Sequence, residues 1–303
     1  MNQEIINALE RISPELEFYT NERMSRHTTF KTGGPASLFI RPSDTEELVK
    51  IIALLKRAEV DYFILGNGSN LLVSDKGYNG AIISTNHLNN IRLENGTDIY
   101  SEAGAMNSAI ASFARDNGLT GFEFAAGIPG TIGGAMIMNA GAYDGEMKMI
   151  TLEVRALSPD GEIIRLDKQA LKFDYRTSAL KGKDFVVTSV LLHLEKGDVE
   201  AITARMQELA NKRKEKQPLE YPSAGSTFKR PQGNFAGKLI QDAGLRGFSI
   251  GGAAVSEKHC GFVINKGNAT SADVYNLICH IRKKVDEDFG VNLEPEVIFL
   301  GEF

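Results

Sequence analysis

The spacing of apolar and polar residues in the first third of the chain predicts a small α/β unit. Four apolar residues recur at helical spacing and predict a helix over residues 45–59: Leu48, Ile51, Ile52 and Leu55. Ser43 and Glu46 have the spacing of a capping box at the start of this helix. Short apolar runs predict strands at residues 37–40, 62–65, 71–73 and 81–84. Residues 25–35 are rich in turn formers and predict a surface loop.

The rest of the chain is predicted to contain more strands and then long helices. The dipeptide Asn95-Gly96, a strong turn former, predicts a hairpin of residues 91–94 and 97–101. Further strands are predicted at residues 150–157, 162–166, 185–194 and 291–300. Further helices are predicted at residues 107–117, 198–216, 236–243 and 270–289. We therefore expect three domains, at residues 1–87, 88–200 and 201–303.

The composition excludes several classes of protein. The 303 residues carry a net charge of −5, which argues against general nucleic-acid binding because that needs a broad basic surface. The two cysteines, Cys260 and Cys279, fit neither a disulfide framework nor a metal cluster. The first residues lack the apolar core of a signal sequence, and no apolar run is long enough to span a bilayer. We expect a reduced, cytoplasmic protein without a metal ion or a membrane segment.

A glycine-rich stretch at residues 125–143, AAGIPGTIGGAMIMNAGAY, predicts a place where the backbone binds an anion. Glycine lets another molecule approach the main chain closely, and Pro129 suits the first turn of a helix. A helix that begins there would present the amides of Gly130, Thr131 and Ile132 to a pyrophosphate. The alternative is a tightly packed helix crossing without a ligand, because one glycine-rich pattern is weak evidence.

A second glycine loop strengthens the interpretation as a binding site. The strand predicted at residues 62–65 runs directly into Gly66-Asn67-Gly68-Ser69-Asn70, which is another backbone cradle for an anion. Two such cradles in one chain suit a ligand with two phosphates. Leu71 stands where the third glycine of a Rossmann fingerprint would be, and the chain contains no Walker-type GK[ST] sequence.

Five segments occur in the order found in the UDP-N-acetylenolpyruvoylglucosamine reductase family, which the chain resembles from about Arg26 to Val297. The segments are LGNGSNLL, AGIPGTIGGAMIMNAGAY, DYRTS, SAGSTFKRP and LEPEV. The resemblance implies an α+β fold in two parts. Residues 1–87 and 88–200 would form a two-part FAD-binding domain of the vanillyl-alcohol-oxidase-like type, and residues 201–303 an α+β substrate domain.

The resemblance implies FAD as cofactor and NADPH as reductant. FAD is expected to bind without a covalent link, because residues 66–72 contain neither histidine nor cysteine. The residues expected to bind it lie in the two glycine loops: Gly66, Asn67, Gly68, Ser69, Asn70, Leu71, Gly127, Gly130, Thr131, Ile132, Gly133, Gly134 and Asn139.

The resemblance also implies three catalytic residues. Arg176 would hold the carboxylate of the substrate, Glu296 would polarise it, and Ser226 would protonate the neighbouring carbon. Taken alone, these residues would be a surface ion pair, a solvated acid and a turn serine. The residues expected to bind the rest of the substrate, a UDP-sugar enolpyruvyl ether, are Tyr175, Lys229 and Arg230.

The implied reaction is the reduction of the enolpyruvyl group of UDP-N-acetylglucosamine enolpyruvate to UDP-N-acetylmuramate in peptidoglycan precursor synthesis. The interval between Arg176 and Ser226 is too short for the extra tyrosine loop of longer relatives, so the chain resembles the shorter branch of the family. Two alternatives remain open, an FAD-dependent oxidase of the same superfamily and a nucleotide-binding module without catalysis. We expect a monomer with a small-molecule substrate and no nucleic-acid or membrane partner.

Overall fold

The computed structural model describes residues 3–303, which form two compact units. Of the described residues, unit 1 comprises those up to Tyr19, Leu38–Asn67 and Ala81–Lys212, and unit 2 comprises Thr20–Ser37, Gly68–Gly80 and Arg213–Phe303. Each unit is therefore assembled from stretches that are separate in the sequence. The predicted division into three continuous domains, with boundaries at residues 87 and 200, differs from these two units and stays a prediction.

The helices and strands alternate along most of the described chain. The helices are α1 (Gln3–Ile12), α2 (Thr45–Arg57), α3 (Asn107–Asp116), α4 (Ile132–Ile137), α5 (Met147–Ile150), α6 (Val199–Lys216), α7 (Ala236–Asp242) and α8 (Ser271–Phe289). The strands up to residue 146 are β1 (Glu17–Arg23), β2 (Pro35–Arg41), β3 (Tyr62–Leu65), β4 (Leu71–Val73), β5 (Tyr78–Ser84), β6 (Ile91–Glu94), β7 (Asp98–Glu102), β8 (Leu119–Thr120), β9 (Gly141–Ala142) and β10 (Gly145–Glu146). The later strands are β11 (Thr151–Leu157), β12 (Ile163–Asp167), β13 (Val186–His193), β14 (Glu195–Lys196), β15 (Ser249–Ile250), β16 (Ala253–Val255), β17 (Val263–Asn265) and β18 (Ile298–Leu300).

Most of the predicted elements are confirmed, and the differences have local causes. Strand β1 lies where no strand is predicted, because its residues show no apolar alternation and its side chains are mostly exposed in the structure. The closing strand is only β18, much shorter than the predicted 291–300. The cap of α2 is Asp44, whose side chain accepts the amide of Glu47 at 2.8 Å, and not Ser43. Predicted caps are easily displaced by one residue where several polar residues adjoin.

A five-stranded antiparallel sheet in unit 1 supports the glycine-rich stretch. Its strand order is β12-β11-β13-β7-β6, and α4 packs against the central strand β13. Gly133 of α4 is buried, and its amide donates to the carbonyl of Ala103 at 2.8 Å. A Cβ at this position would lie only 2.9 Å from the Cβ of Ala103. Glycine is required here because α4 approaches the backbone at the end of β7 so closely.

Two hydrophobic cores hold unit 1 together. The larger core lies around the five-stranded sheet and α4, and its most deeply buried members include Phe122, Ile132, Met136, Val154 and Leu192. The smaller core contains the four apolar residues predicted for α2, each no more than 2% exposed. Burial of one such side chain stabilises the fold by roughly 1.5–3 kcal/mol. The helical pattern of α2 is thus explained by its packing beside the parallel pair β3 and β5.

Helix α8 is the main helix of unit 2 and packs on the sheet β15-β16-β17. Thr270 and Asp273 form a capping box at its start, and Gly290 ends it with a φ of 65°. Asp75 adds a second cap, because its carboxylate oxygens accept the amides of Ser271 and Ala272, each at 2.8 Å. A residue far away in sequence therefore fixes the start of the longest helix in the unit.

Two features of the described residues, 3–303, concern membrane segments and metal ions. No helix in this range combines the length and the apolar character needed to cross a membrane. No group of three or more histidine, cysteine, aspartate or glutamate side chains in this range is placed to hold a metal ion.

Candidate active site

The two glycine loops meet inside unit 1. The side-chain amide of Asn67 donates to the carbonyl of Pro129 at 3.1 Å. A Cβ on Gly66 would lie 2.4 Å from the hydroxyl oxygen of Thr131, so only glycine allows the loops to come this close. Two segments 62 residues apart in the chain are thereby joined, and each is a segment for which the sequence predicts an anion cradle.

The helix in the glycine-rich stretch begins later than predicted. Helix α4 starts at Ile132 with Thr131 as its N-cap, and not near Pro129. The amide of Gly130 donates to the carbonyl of Ile128, and that of Ile132 donates to the carbonyl of Ala105, each at 2.9 Å. These two amides, predicted to face a pyrophosphate, are therefore used within the protein. The cause is the bridge between Thr131 and Met106, which holds residues 130 and 131 extended.

The surface left for a ligand lies at Gly134, which adjoins Thr131, a residue only 2% exposed. Among the residues that the structure describes, the amides of these two residues donate to no backbone carbonyl, and the side chain of Thr131 caps none of the helix amides. Gly134 is exposed, and a Cβ there would meet only the Thr131 hydroxyl, at 3.7 Å. Gly127 and Pro129 are exposed on the same stretch. Free amides beside an open glycine surface fit a phosphate group of FAD.

The second half of the loop after β3 belongs to unit 2. Gly68 has a φ of +61° and packs against the carbonyl of His27, and its own carbonyl accepts the amide of Thr29 at 3.2 Å. Ser69 follows as a half-buried residue. The side-chain amide of Asn70 donates to the carbonyl of Glu296 at 3.0 Å, and Leu71 pairs with Ile298 in the parallel strands β4 and β18. Residues 68–71 are thus fixed to the segment that carries Glu296.

Unit 2 brings the segments of Ser226 and Glu296 together. Phe228 and Pro295 form an antiparallel bridge, and the amide of Glu296 donates to the carbonyl of Thr227 at 2.9 Å. Ser226 is exposed and directly precedes Thr227, whereas Glu296 is half-buried. Backbone pairing therefore places a hydroxyl and a carboxylate, 70 residues apart in sequence, on adjacent segments.

Thr227 fixes the backbone next to Ser226, although it was not among the residues predicted to form the site. It is completely buried, and its hydroxyl accepts the amide of Val263 at 2.9 Å. Its amide donates to the carbonyl of Gly261 at 2.8 Å. The sequence offered no signal at Thr227, which lies between Ser226 and the apolar Phe228, because the need of its hydroxyl for partners arises only from its burial in the fold.

Two basic side chains follow Ser226, and each already contacts the protein. Lys229 forms an ion pair with Glu294, and its amide donates to the Glu294 carbonyl at 2.9 Å. The guanidinium of Arg230 lies over the ring of Phe235, 4.1 Å from its centroid. Phe235 is 58% exposed, which is unusual for phenylalanine. The loop therefore offers cationic and aromatic groups at the surface beside Ser226.

Arg176 of unit 1 occupies a strained position in a tight turn. The turn is closed by two backbone hydrogen bonds between Asp174 and Thr177, at 3.1 and 3.2 Å. Arg176 has a φ of 53°, a conformation that favours glycine or asparagine at this place in a turn. Strain of this kind costs about 1–3 kcal/mol and persists where the surrounding structure imposes it. Its guanidinium donates to the carbonyl of Gly141 at 3.4 Å, and the neighbouring Tyr175 is 53% exposed.

Asn139, which is also predicted to bind FAD, has a buried side chain that makes several hydrogen bonds within the protein. It is 1% exposed, and its amide nitrogen donates to a carboxylate oxygen of Glu146 at 2.8 Å and to the carbonyl of Asp174 at 3.1 Å. Its side-chain oxygen accepts the amide of Lys148 at 2.9 Å. A contact between this side chain and FAD stays a prediction, and the structure gives it other partners.

Burial perturbs two groups near the Ser226 loop. The pKa of His259 is lowered because burial disfavours the imidazolium form, and its Nδ1 accepts the amide of Gly261 at 3.0 Å. Burial likewise raises the pKa of the Cys260 thiol. Both residues are therefore neutral around pH 7, and the cationic groups of this region are the lysine and arginine side chains.

Comparison with known proteins gives one consistent family. Family models match residues 36–167 as an FAD binding domain and residues 217–300 as the C-terminal domain of UDP-N-acetylenolpyruvoylglucosamine reductase. The chain is 53% identical to the UDP-N-acetylenolpyruvoylglucosamine reductase of Caldanaerobacter subterraneus subsp. tengcongensis, covering 100% of both chains. It is 50% identical to the Clostridium perfringens protein of the same name, over 94% of this chain and 95% of that one.

Solved structures agree with this similarity. The crystal structure of UDP-N-acetylenolpyruvylglucosamine reductase from Thermus caldophilus matches with a TM-score of 0.80 and 34% identity, covering 95% of this chain and 99% of that one. An alkyldihydroxyacetonephosphate synthase matches with a TM-score of 0.51 at 14% identity, over 65% of this chain and 41% of that one. The second likeness extends to the fold alone.

Proposed function

This chain belongs to the UDP-N-acetylenolpyruvoylglucosamine reductase family, and we propose which of its residues carry out each part of that family's reaction. The chain is an FAD-dependent reductase of peptidoglycan precursor synthesis with NADPH as reductant. When bound, FAD supplies the hydride chemistry, in which electrons enter from NADPH and leave to the methylene carbon of the enolpyruvyl group. The protein must bind both substrates, exclude water and deliver one proton.

FAD is held by the main chain of the two glycine loops. In unit 1, Gly66 and Asn67 adjoin Thr131, and the amides of Thr131 and Gly134 are available to a phosphate oxygen. Ser69 and Asn70 follow in the same loop but belong to unit 2, and their contact with FAD stays a prediction from sequence. Backbone amides suit this task because they carry fixed partial charge and need no counterion.

Arg176 binds the carboxylate of the enolpyruvyl group. Hydride addition at the methylene carbon moves negative charge towards that carboxylate, and a guanidinium can bind it through two parallel hydrogen bonds. The tight turn of Asp174 and Thr177 supports this role, because it fixes the backbone from which the side chain extends. Tyr175, exposed in the same turn, contributes a contact with the substrate.

Ser226 gives a proton to the carbon that bears the carboxylate, and Glu296 acts beside it on the carboxylate. The observation that carries this proposal is the hydrogen bond from the Glu296 amide to the carbonyl of Thr227, the neighbour of Ser226. Hydride and proton together reduce the double bond, and solvent returns a proton to Ser226 afterwards. Serine is a weak acid but suffices for a strongly basic carbon within hydrogen-bond reach.

Lys229 and Arg230 bind the UDP part of the substrate. Both lie beside Ser226 in sequence, and their positive charges complement a diphosphate.

We place the chain in the cytoplasm as a monomer. The free cysteines Cys260 and Cys279 are typical of a reducing compartment, and the proposed binding residues all belong to one chain.

The position of isotope in the product tests this proposal. We would incubate the FAD-loaded protein with NADPH and the enolpyruvyl nucleotide in deuterated water and examine the product by NMR. The proposal predicts deuterium at the carbon bearing the carboxylate, in a product that forms only when NADPH is present. If no reduced product formed, the chain would be a nucleotide-binding module without catalysis. If turnover required oxygen and not NADPH, the chain would be an oxidase.

A further inference from the structure

Asn139 connects the end of the glycine-rich stretch to the turn that carries Arg176. Its amide nitrogen reaches the carbonyl of Asp174 at 3.1 Å, which is the first residue of that turn. The same carbonyl also accepts the amide of Thr177, so Asn139 holds in place the oxygen atom that closes the turn. Because both residues belong to unit 1, the connection lies within one compact body.

Asparagine is the residue type that these contacts require. The NH₂ group donates twice, to Glu146 and to the Asp174 carbonyl, while the oxygen accepts the amide of Lys148. Aspartate could keep only the last of these contacts and would place a second carboxylate beside Glu146. Asn139 has a φ of 41°, which asparagine tolerates better than most residues do.

Two further contacts hold the turn to the segment that surrounds Asn139. The hydroxyl of Ser178, which follows the turn, donates to the carbonyl of Ile137 at 2.9 Å. The guanidinium of Arg176 donates to the carbonyl of Gly141 at 3.4 Å. The turn is thus attached at its start, at its side chain and beyond its end. Asn139, 1% exposed, is more deeply buried than Ser178, which is 7% exposed.

We propose that Asn139 is a positioning residue for Arg176 and that its side chain does not bind FAD. It holds the carbonyl of Asp174, so that the strained backbone of Arg176 keeps its guanidinium aimed in one direction. This inference rests on the proposed role of Arg176 as the group that binds the enolpyruvyl carboxylate. A displacement of about 1 Å in such a group can cost on the order of 10²-fold in rate.

The test compares three variants in the two half-reactions by stopped-flow absorbance. Asn139→Gly removes the side chain at a backbone angle that glycine adopts without strain, and Asn139→Asp serves if that variant does not fold. We expect unchanged FAD content and an unchanged rate of flavin bleaching by NADPH. Recovery of the flavin absorbance with the enolpyruvyl nucleotide should slow by roughly 10- to 10²-fold.

Asn117→Ala is the matched control. Its side-chain amide donates to the carbonyl of Phe113 at 2.8 Å in the same unit, far in sequence from the Arg176 turn. A loss of stability alone should lower Tm in this variant without slowing either half-reaction. Equal slowing in Asn117→Ala and Asn139→Gly would overturn the inference, since it would show a general effect of stability.

The double variant Arg176→Ala with Asn139→Gly distinguishes a failure of this inference from a failure of the proposed role of Arg176. If Asn139 acts through Arg176, then Arg176→Ala with Asn139→Gly should be no slower than Arg176→Ala alone. Additive losses would overturn the positioning role, and so would loss of FAD from Asn139→Gly. If Arg176→Ala left the reaction with the nucleotide unchanged, the proposed role of Arg176 would fall, and the inference with it. A slow Arg176→Ala with a normal Asn139→Gly would overturn the inference alone.

Discussion

Ser226 is an exposed residue whose neighbours are fixed. Thr227 is buried and bonded to Val263 and Gly261, so the backbone that carries the Ser226 hydroxyl has little freedom. An exposed hydroxyl on such a rigid base can reach a substrate without first being ordered, which favours proton transfer. The other residues that we propose to be catalytic have similar supports, because Glu296 is bonded to the Ser226 segment and Arg176 lies in its closed turn.

Replacing Ser226 by alanine separates proton transfer from hydride transfer. The variant should bleach with NADPH at a near-normal rate, because no carbon is protonated in that step. Reaction with the enolpyruvyl nucleotide should slow by about 10²–10⁴-fold, the usual contribution of a general acid. Stopped-flow absorbance measures both steps. Equal slowing of both would instead make Ser226 a residue that orders its loop.

A pair of adjacent glycines tests where the cofactor contacts the main chain. Gly133 and Gly134 are both predicted to bind FAD, but Gly133 is buried against Ala103. Gly134 is exposed beside Thr131, and valine there would meet no protein atom closely. Gly134→Val should keep the Tm of the apoprotein and weaken FAD binding by roughly 5- to 150-fold, as a clash of about 1–3 kcal/mol would.

The matched variant Gly133→Val should behave in the opposite way. Its Cβ would force the buried backbone at Ala103 to move, which costs about 1–3 kcal/mol of folding free energy. Fluorescence titration with FAD and thermal melts of the apoprotein distinguish the two variants. Full FAD affinity in folded Gly134→Val would remove this surface from the cofactor site.

At the scale of elements, helix α8 depends on a cap from the distant residue Asp75. Its carboxylate accepts the amides of Ser271 and Ala272, and it also places negative charge at the positive end of the helix dipole. Asp75→Ala should lower the free energy of unfolding by about 0.5–2 kcal/mol. Asp75→Asn keeps an acceptor and should lose less. Chemical denaturation measures both, and equal stability of Asp75→Ala and the parent would show that Thr270 alone caps the helix.

The same helix end predicts a dependence of stability on pH. The amide of Thr270 lowers the pKa of Asp273, and the amide of Gly252 adds to the effect. Because the folded pKa lies below the unfolded value, the stability from charged Asp273 is fully present above that unfolded value. It is lost as the pH falls through the folded pKa. Asp273→Asn should therefore be less stable near neutral pH and lose less Tm on acidification below about pH 4. Parallel melting curves would contradict this.

At the scale of the whole molecule, the sequence predicted the elements well where periodic burial produces them. Helix α2 and the hairpin at Asn95-Gly96 followed from apolar spacing and turn chemistry. The two glycine loops followed from composition, because few other residues allow a backbone to bind a ligand. The motifs shared with the reductase family supplied the proposed catalytic residues, which local pattern alone would have assigned to solvated surface.

The parts that sequence did not predict depend on contacts between distant residues. The start of α4 was misplaced because the bridge from Thr131 to Met106 competes with helix at residues 130 and 131. Gly133 was taken for a ligand contact because its near neighbour Ala103 is 30 residues away in the chain. The division of the chain into units was not foreseen either, since Thr20–Ser37 and Gly68–Gly80 join the C-terminal part of the chain by tertiary contacts.

The central claim is that this chain passes electrons from NADPH through bound FAD to an enolpyruvyl nucleotide. The most direct measurement is the visible flavin absorbance of the purified protein, recorded without oxygen as each reactant is added in turn. The account predicts that NADPH removes the absorbance and that the enolpyruvyl nucleotide restores it in proportion to the product formed. If the absorbance stayed bleached with the nucleotide and returned only with oxygen, the account would be wrong.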